Sequence, residues 1–177
     1  LSFQDLIAKT ATENLRDQIV ASAGTIKNLR IKATIAAGTG ETIAVTLRKN
    51  GLATALTATL SGTDTTVSDL VNTVTVAAGD LVCWQFVGST LAAATAMRVS
   101  AEYVGDTANE SLLMGNANLT DTEAYLVCSG DDSGASNAYN QARQTIATAG
   151  TIKKLYIKSN TAPGSGKSRV YTVYLNG

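Results

Sequence analysis

Gly164-Ser165-Gly166-Lys167-Ser168 puts two glycines, a lysine and a hydroxyl in the order of a phosphate-binding loop. In such a loop, glycine amides cradle the phosphates and the lysine pairs with them. Three features speak against that chemistry. The loop needs a glycine five residues before Gly166, and that position is Thr161. It must also lead from a strand into a helix whose N-terminus faces the anion, whereas the residues that follow, SRVYTVYLN, are rich in β-branched and aromatic types. Finally, the segment occurs earlier in the chain as AGTGET, with Glu41 in the place of Lys167. The expectation is a glycine turn between two strands, with no nucleotide and no other cofactor.

Other reactive constellations are also thin. The chain has no histidine. That removes Ser–His and Cys–His nucleophiles, imidazole metal ligands and the usual near-neutral base. Cys83 and Cys128 form no CxxC pair and make no zinc site without histidines. Each reads as a small strand hydrophobe, with a disulfide between them left open. In CSGDDSGAS, Asp131, Asp132 and Ser133 are adjacent rather than alternating, and no downstream Glu completes a calcium loop, so a solvated loop is expected. Most other acids fall in turns or on outward strand positions, not as a converging hydrolase pair. No catalytic and no metal-ligating residue is assigned, and the chain is not expected to be an enzyme. Fourteen basic residues balance fourteen acidic ones without clustering, which argues against nucleic acid as a partner. The best apolar run, Leu81 to Val87, is too short to insert in a membrane.

What positions these residues is a repeat. Residues 23–51, AGTIKNLRIKATIAAGTGETIAVTLRKNG, align without a gap with residues 149–177, AGTIKKLYIKSNTAPGSGKSRVYTVYLNG, and 14 of the 29 positions are identical. Upstream, Asn14, Gln18 and Ala21 match Asn140, Gln144 and Ala147. Within the first copy, Leu29, Ile31, Ala33 and Ile35 alternate with polar residues, as do Ile43, Val45 and Leu47. Gly38 and Gly40 serve the turn between them. Asn50-Gly51 signals a type I′ hairpin, and Leu52, Leu56 and Leu60 are expected to face inward on the return strand. SGTDTT reads as a loop, Val74 and Val76 as a strand, and Gly79-Asp80 as the turn before an almost wholly apolar strand, covered on both faces. Met97, Val99, Ala101 and Tyr103 close the unit. With segments near 2–8 and 16–21, about eight strands result, at the turn spacing of an antiparallel β-sandwich.

The expected organisation is a first module over 1–104, a linker over 105–110, and a second, truncated copy over 111–177. The second copy opens with SLLMGNANL and a strand at Tyr125 to Cys128. Its turns are Gly164, Gly166 and Asn176-Gly177. Equivalents of residues 52–104 do not follow, so either the chain is a fragment, the favoured reading, or a neighbour supplies the strands. Arg169 stands where Ile43 faces inward and is read as reaching solvent.

AGTIKNLRI…AAGTGETIAVTLRKNG…TALTATLSGTDTT…VTVAAGDLV resembles a β-sandwich module of tailed-bacteriophage structural proteins and related bacterial surface proteins. VAAGDLVCWQF is similar to the Gly-Asp strand of tumour-necrosis-factor- and complement-like jelly rolls, which packs near a trimer axis. The resemblance implies an all-β, jelly-roll-like building block, often trimeric, at a virion or extracellular surface, and it brings no catalytic residues with it. Small, weakly charged outward stripes point the same way. Thr42, Ala44 and Thr46 form one; Thr57 and Thr59 form another. Thr42, Thr46 and Trp84 are therefore interface candidates, with Trp84 equally at home in the core. The function expected is a structural subunit (fibre, decoration or capsid-associated), partnered by its own copies and by other subunits of the assembly. The alternative is an adhesion module that recognises a receptor or cell-surface glycan.

Overall fold

Ile26 faces the core, and so do Leu29, Ile31 and Ala33, although 26 and 29 differ in parity. A strand of period two can bury both sets only by gaining one residue between them. Asn28 supplies it, at φ 56°, where the ladders on both sides shift register. Asparagine tolerates this left-handed conformation better than most residues. This bulge sits in a computed structural model that describes residue 13 and residues 16–108, 110–113, 115–117, 130–132, 149–159 and 161–175.

Among the described residues the chain is all-β. The first repeat and its continuation form β1 (Gln18–Ile19), β2 (Gly24–Ala33), β3 (Gly38–Lys49), β4 (Leu52–Gly62), β5 (Thr66–Val76), β6 (Leu81–Gly88) and β7 (Met97–Gly105). They make two antiparallel sheets, ordered β1-β6-β3-β4 and β5-β2-β7. The inner faces share one core. Ile26, Leu29 and Ile31 of β2 join Val45 and Leu47 of β3, Leu56 and Leu60 of β4, and Val82 and Trp84 of β6. Each such side chain contributes roughly 1.5–3 kcal/mol by leaving water. The expected eighth strand, near residues 2–8, lies outside the described residues.

The β3–β4 hairpin closes as its sequence predicts. Lys49 pairs with Leu52, and both turn residues have positive φ, 52° at Asn50 and 81° at Gly51. Two inward assignments need correction. Ile35 is 55% exposed because β2 ends at Ala33 and leaves it in the connection to β3. Leu52 is 72% exposed: it sits at the hairpin tip, beyond the register shift between Thr46 and Arg48. A third correction concerns Gly130–Asp132. It is not loop but a three-residue strand, β9, paired in parallel with β8 (Gly115–Ala117).

Gly38 and Gly40, expected in a turn, lie within β3 at its register shift between Gly38 and Thr42, and the second repeat keeps the left-handed positions of the first without its ladders. Lys154 has φ 58° where Asn28 has 56°; Gly164 and Gly166 have 91° and 67° where Gly38 and Gly40 have 113° and 79°. In the first copy β2 pairs with β5 and β7, and β3 with β4 and β6. Among the described residues, 149–159 and 161–175 have no such partners and are exposed, so the strands expected there are not seen paired. Arg169 is exposed, as anticipated, and donates to the Thr161 carbonyl and the Ser159 hydroxyl, each at 2.6 Å. The strand expected at Tyr125 to Cys128 lies outside the described residues.

Candidate functional site

The two turn motifs that stand out in sequence, Asn50-Gly51 and Gly79-Asp80, meet in space. Asn50 Nδ2 donates to Asp80 Oδ1 at 2.7 Å, while Asn50 Oδ1 accepts from the Leu81 amide at 2.8 Å. The Asn50 amide also donates to the Leu81 carbonyl. Asp80 Oδ2 accepts from the Ala77 amide at 2.8 Å and lies 3.4 Å from Lys49 Nζ. Burial alone would raise the Asp80 carboxyl; the Ala77 amide, the Asn50 side chain and Lys49 outweigh it and hold the group below its ordinary 3.8. Gly79, at φ 93°, lets its amide reach the Val20 carbonyl, which ties β1 to the same end of the sandwich. Every polar atom named here is used in closing the fold. Asn50→Ala should lower unfolding free energy by about 1.5 kcal/mol, through a lost acceptor and a costlier positive φ. Chemical denaturation followed by circular dichroism measures it.

A second cluster covers the outer face of β6. Arg48 Nε donates to Glu13 Oε1 at 2.8 Å and Arg48 Nη1 to Gln85 Oε1 at 3.3 Å, with Arg48 Nη2 on the Gly51 carbonyl. Cys83 Sγ lies 3.6 Å from Glu13 Oε1. Glu13, Asp17 and Cys83 bring one ligand atom each within 4.8 Å of one another. Burial, reinforced by the two carboxylates, pushes the Cys83 thiol up to about 12 and so disfavours its thiolate. Arg48 already neutralises Glu13 and holds its carboxyl below the ordinary 4.5. Burial and Glu13 raise Asp17. Chemically this is an ion-paired cover over a free, buried cysteine. Cys128 lies outside the described residues.

The glycine loop is a turn. The Lys167 amide donates to the Gly164 carbonyl at 3.2 Å, and no α-helix begins there or elsewhere among the described residues. In the first copy, Glu41 at the equivalent position receives the Ser89 hydroxyl. Asn176 and Gly177 lie outside the described residues. Of the interface candidates, Trp84 is 4% exposed within the core of this chain. Thr42 is exposed and Thr46 half-buried on the outer face of the first sheet.

Sequence reasoning passed over Asp69, 8% exposed in β5. Its carboxylate accepts from the amides of Thr57, Val71 and Asn72 and from the Asn72 side chain, at 2.9–3.2 Å. Burial opposes the charge, but the Asn72, Thr57 and Val71 donors prevail and lower the group from 3.8. Thr57 lies on β4, so Asp69 joins the two sheets along one edge. Its signal in sequence was a lone acid inside a strand with Asn three residues on. Comparison with protein-family models, curated proteins and solved structures returned no match.

Proposed function

We propose that the chain is a non-enzymatic structural subunit of a virion or other extracellular assembly, built by oligomerisation of tandem β-sandwich modules, with the trimer favoured. One observation carries this reading: the outer face of the first sheet. There Thr42, Ala44 and Thr46 of β3 lie beside Ser61, Thr59 and Thr57 of β4, and charge enters at Arg48 and, over β6, at Glu13 and Asp17. Two of these hydroxyls, those of Thr46 and Thr57, are already paired within the sheet. Thr46 and Thr57 Oγ1 atoms are 2.8 Å apart, and Thr57 Oγ1 also reaches the Val45 carbonyl at 3.1 Å. Covering this pair leaves neither hydroxyl unpaired, and an unpaired polar group is the main cost of burying polar surface.

The strand order supports the finer description as a jelly roll. Lettered in chain order, the eight strands of that fold form sheets A-H-C-F and B-G-D-E. Taking β1 as B and β7 as H reproduces B-G-D-E and F-C-H. The place of A is then beside β7. The matching φ values at Asn28 and Lys154, and at the paired glycines, support a second copy of the same unit.

Replacing Thr46 and Thr59 together by lysine should reduce the particle to single chains in sedimentation velocity, with the β-sheet circular dichroism unchanged. An unchanged sedimentation coefficient would take this face out of the assembly. Saturable glycan-array binding by single chains would replace the reading with the adhesion alternative.

A further inference from the structure

The segment joining the two repeats is polar in sequence, yet it is packed. Leu112 is 8% exposed and belongs to the core, and the Asp106 amide donates to the Ala23 carbonyl at 3.0 Å. Between them, the side chain of Glu110 is only 7% exposed and touches both repeats. From the second, Lys153 Nζ lies 2.7 Å and Lys154 Nζ 2.9 Å from Glu110 Oε1. From the first, the Ser22 hydroxyl donates to Glu110 Oε2, and Lys154 Nζ donates back to Ser22 Oγ at 3.0 Å. Tyr103 fixes the floor of this junction: its hydroxyl lies 2.9 Å from each of the Ser22 and Ala23 carbonyls. The Lys153, Ser22 and Lys154 donors hold the Glu110 carboxyl down at about 2.

The two copies differ where this junction is made. Lys153 has a lysine counterpart, Lys27, but Lys154 replaces Asn28, which in the first copy bonds Glu102 of its own module. The hydroxyl of Ser22 is common to both copies, since Thr148 stands at the equivalent position. The charges are not shared: Asp17 of the first copy corresponds to Arg143 of the second. The first copy therefore brings the acidic side to the boundary and the second brings the basic side.

We infer that Glu110 is the latch of a one-way junction, which seats the left-handed kink at Lys154 of the second repeat on the end of the first and cannot form with the two roles exchanged, because the first copy has only one of the two lysines. This rests on the tandem-module reading of the repeat. The latch turns the connecting segment from a tether into a fixed elbow. A left-handed residue at position 154 is what aims two consecutive lysines at one carboxylate, since neighbours on a regular strand point to opposite faces. The partner recognised is thus a diammonium edge presented by a left-handed kink.

The test is competitive acylation of the full chain with N-hydroxysuccinimide acetate, read lysine by lysine by mass spectrometry. Exposed Lys167 serves as internal reference. Charge-assisted pairing should slow Lys153 and Lys154 on the order of 5-fold relative to Lys167. Glu110→Gln should bring both to within about 2-fold of Lys167, because the charged acceptor is gone. Ser22→Ala removes the bridging hydroxyl and keeps the carboxylate; it should release Lys154 in part and leave Lys153 slow. That milder variant keeps the test decisive if Glu110→Gln does not fold. Equal reactivity of all three lysines in the unaltered chain, or no change in Glu110→Gln, overturns the latch. Particle mass measured on the same samples separates the two ideas: a lost latch with an intact oligomer leaves the assembly reading standing, and the reverse leaves the latch.

Discussion

Asp69→Ala should lower unfolding free energy by about 3 kcal/mol at neutral pH, since it strands buried amides that a charged acceptor had satisfied. The amides are those of Thr57, Val71 and Asn72. Thr57 belongs to β4 and the other two to β5, so the loss opens the seam between the two sheets at once. Asp69→Asn keeps one acceptor oxygen and should cost about half as much. The pH dependence has a definite sign. The folded-state carboxyl is held below 3.8, so its contribution is full above the unfolded value and disappears as pH falls through the folded one. Urea titrations should therefore show the gap between wild type and Asp69→Ala at pH 7 and see it narrow steadily below about pH 4. A gap independent of pH would mean that the carboxylate charge plays no part.

Gly24→Ala should be as damaging, for a steric reason. A Cβ at Gly24 would stand 2.5 Å from the Val104 carbonyl oxygen and 2.7 Å from the Tyr103 ring. Neither can yield easily. Val104 is held in the β2–β7 ladder opposite Thr25, and the Tyr103 hydroxyl is pinned by two backbone carbonyls. Overpacking of this kind costs about 3 kcal/mol at the upper end of the usual range. The second copy supplies the control. Gly150 occupies the equivalent position, and a Cβ there meets nothing within 4 Å. Gly150→Ala should change stability by less than about 0.5 kcal/mol. An equal cost at both positions would mean that Gly150 is packed by a strand in the manner of β7.

These two residues show where sequence reading succeeds and where it stops. The β3–β4 hairpin was legible because its cause is local: Asn50 and Gly51 tolerate the positive φ that a two-residue turn demands. Each turn motif was legible alone, yet the bond between Asn50 and Asp80 was not, because the two are 30 positions apart and only the β3–β6 pairing unites them. The bulge at Asn28 had a trace in sequence. Ile26 and Leu29, and again Ile152 and Leu155, are three apart, which no regular strand can bury on one face. Reading the alternation from Leu29 onward hid it. Asp69 was missed because its partners lie on its own strand and on the preceding one, so a lone acid among polar strand residues looked outward-facing. Glu110 was hidden in a segment whose polarity reads as a solvated connection; its partners come from positions 22, 153 and 154, which only the fold assembles.

What the motifs have in common is use. The glycines set turns, the acids satisfy backbone amides or neighbouring cations, and the one described thiol is buried beneath an ion pair. Among the described residues these groups serve the fold, and the proposal that the chain acts through contact between its own copies is open to direct test. The direct check is size-exclusion chromatography with multi-angle light scattering on the unmodified chain across micromolar dilutions. A particle of three 18.2 kDa chains that persists on dilution is the predicted result, and a single 18.2 kDa species throughout would contradict the account.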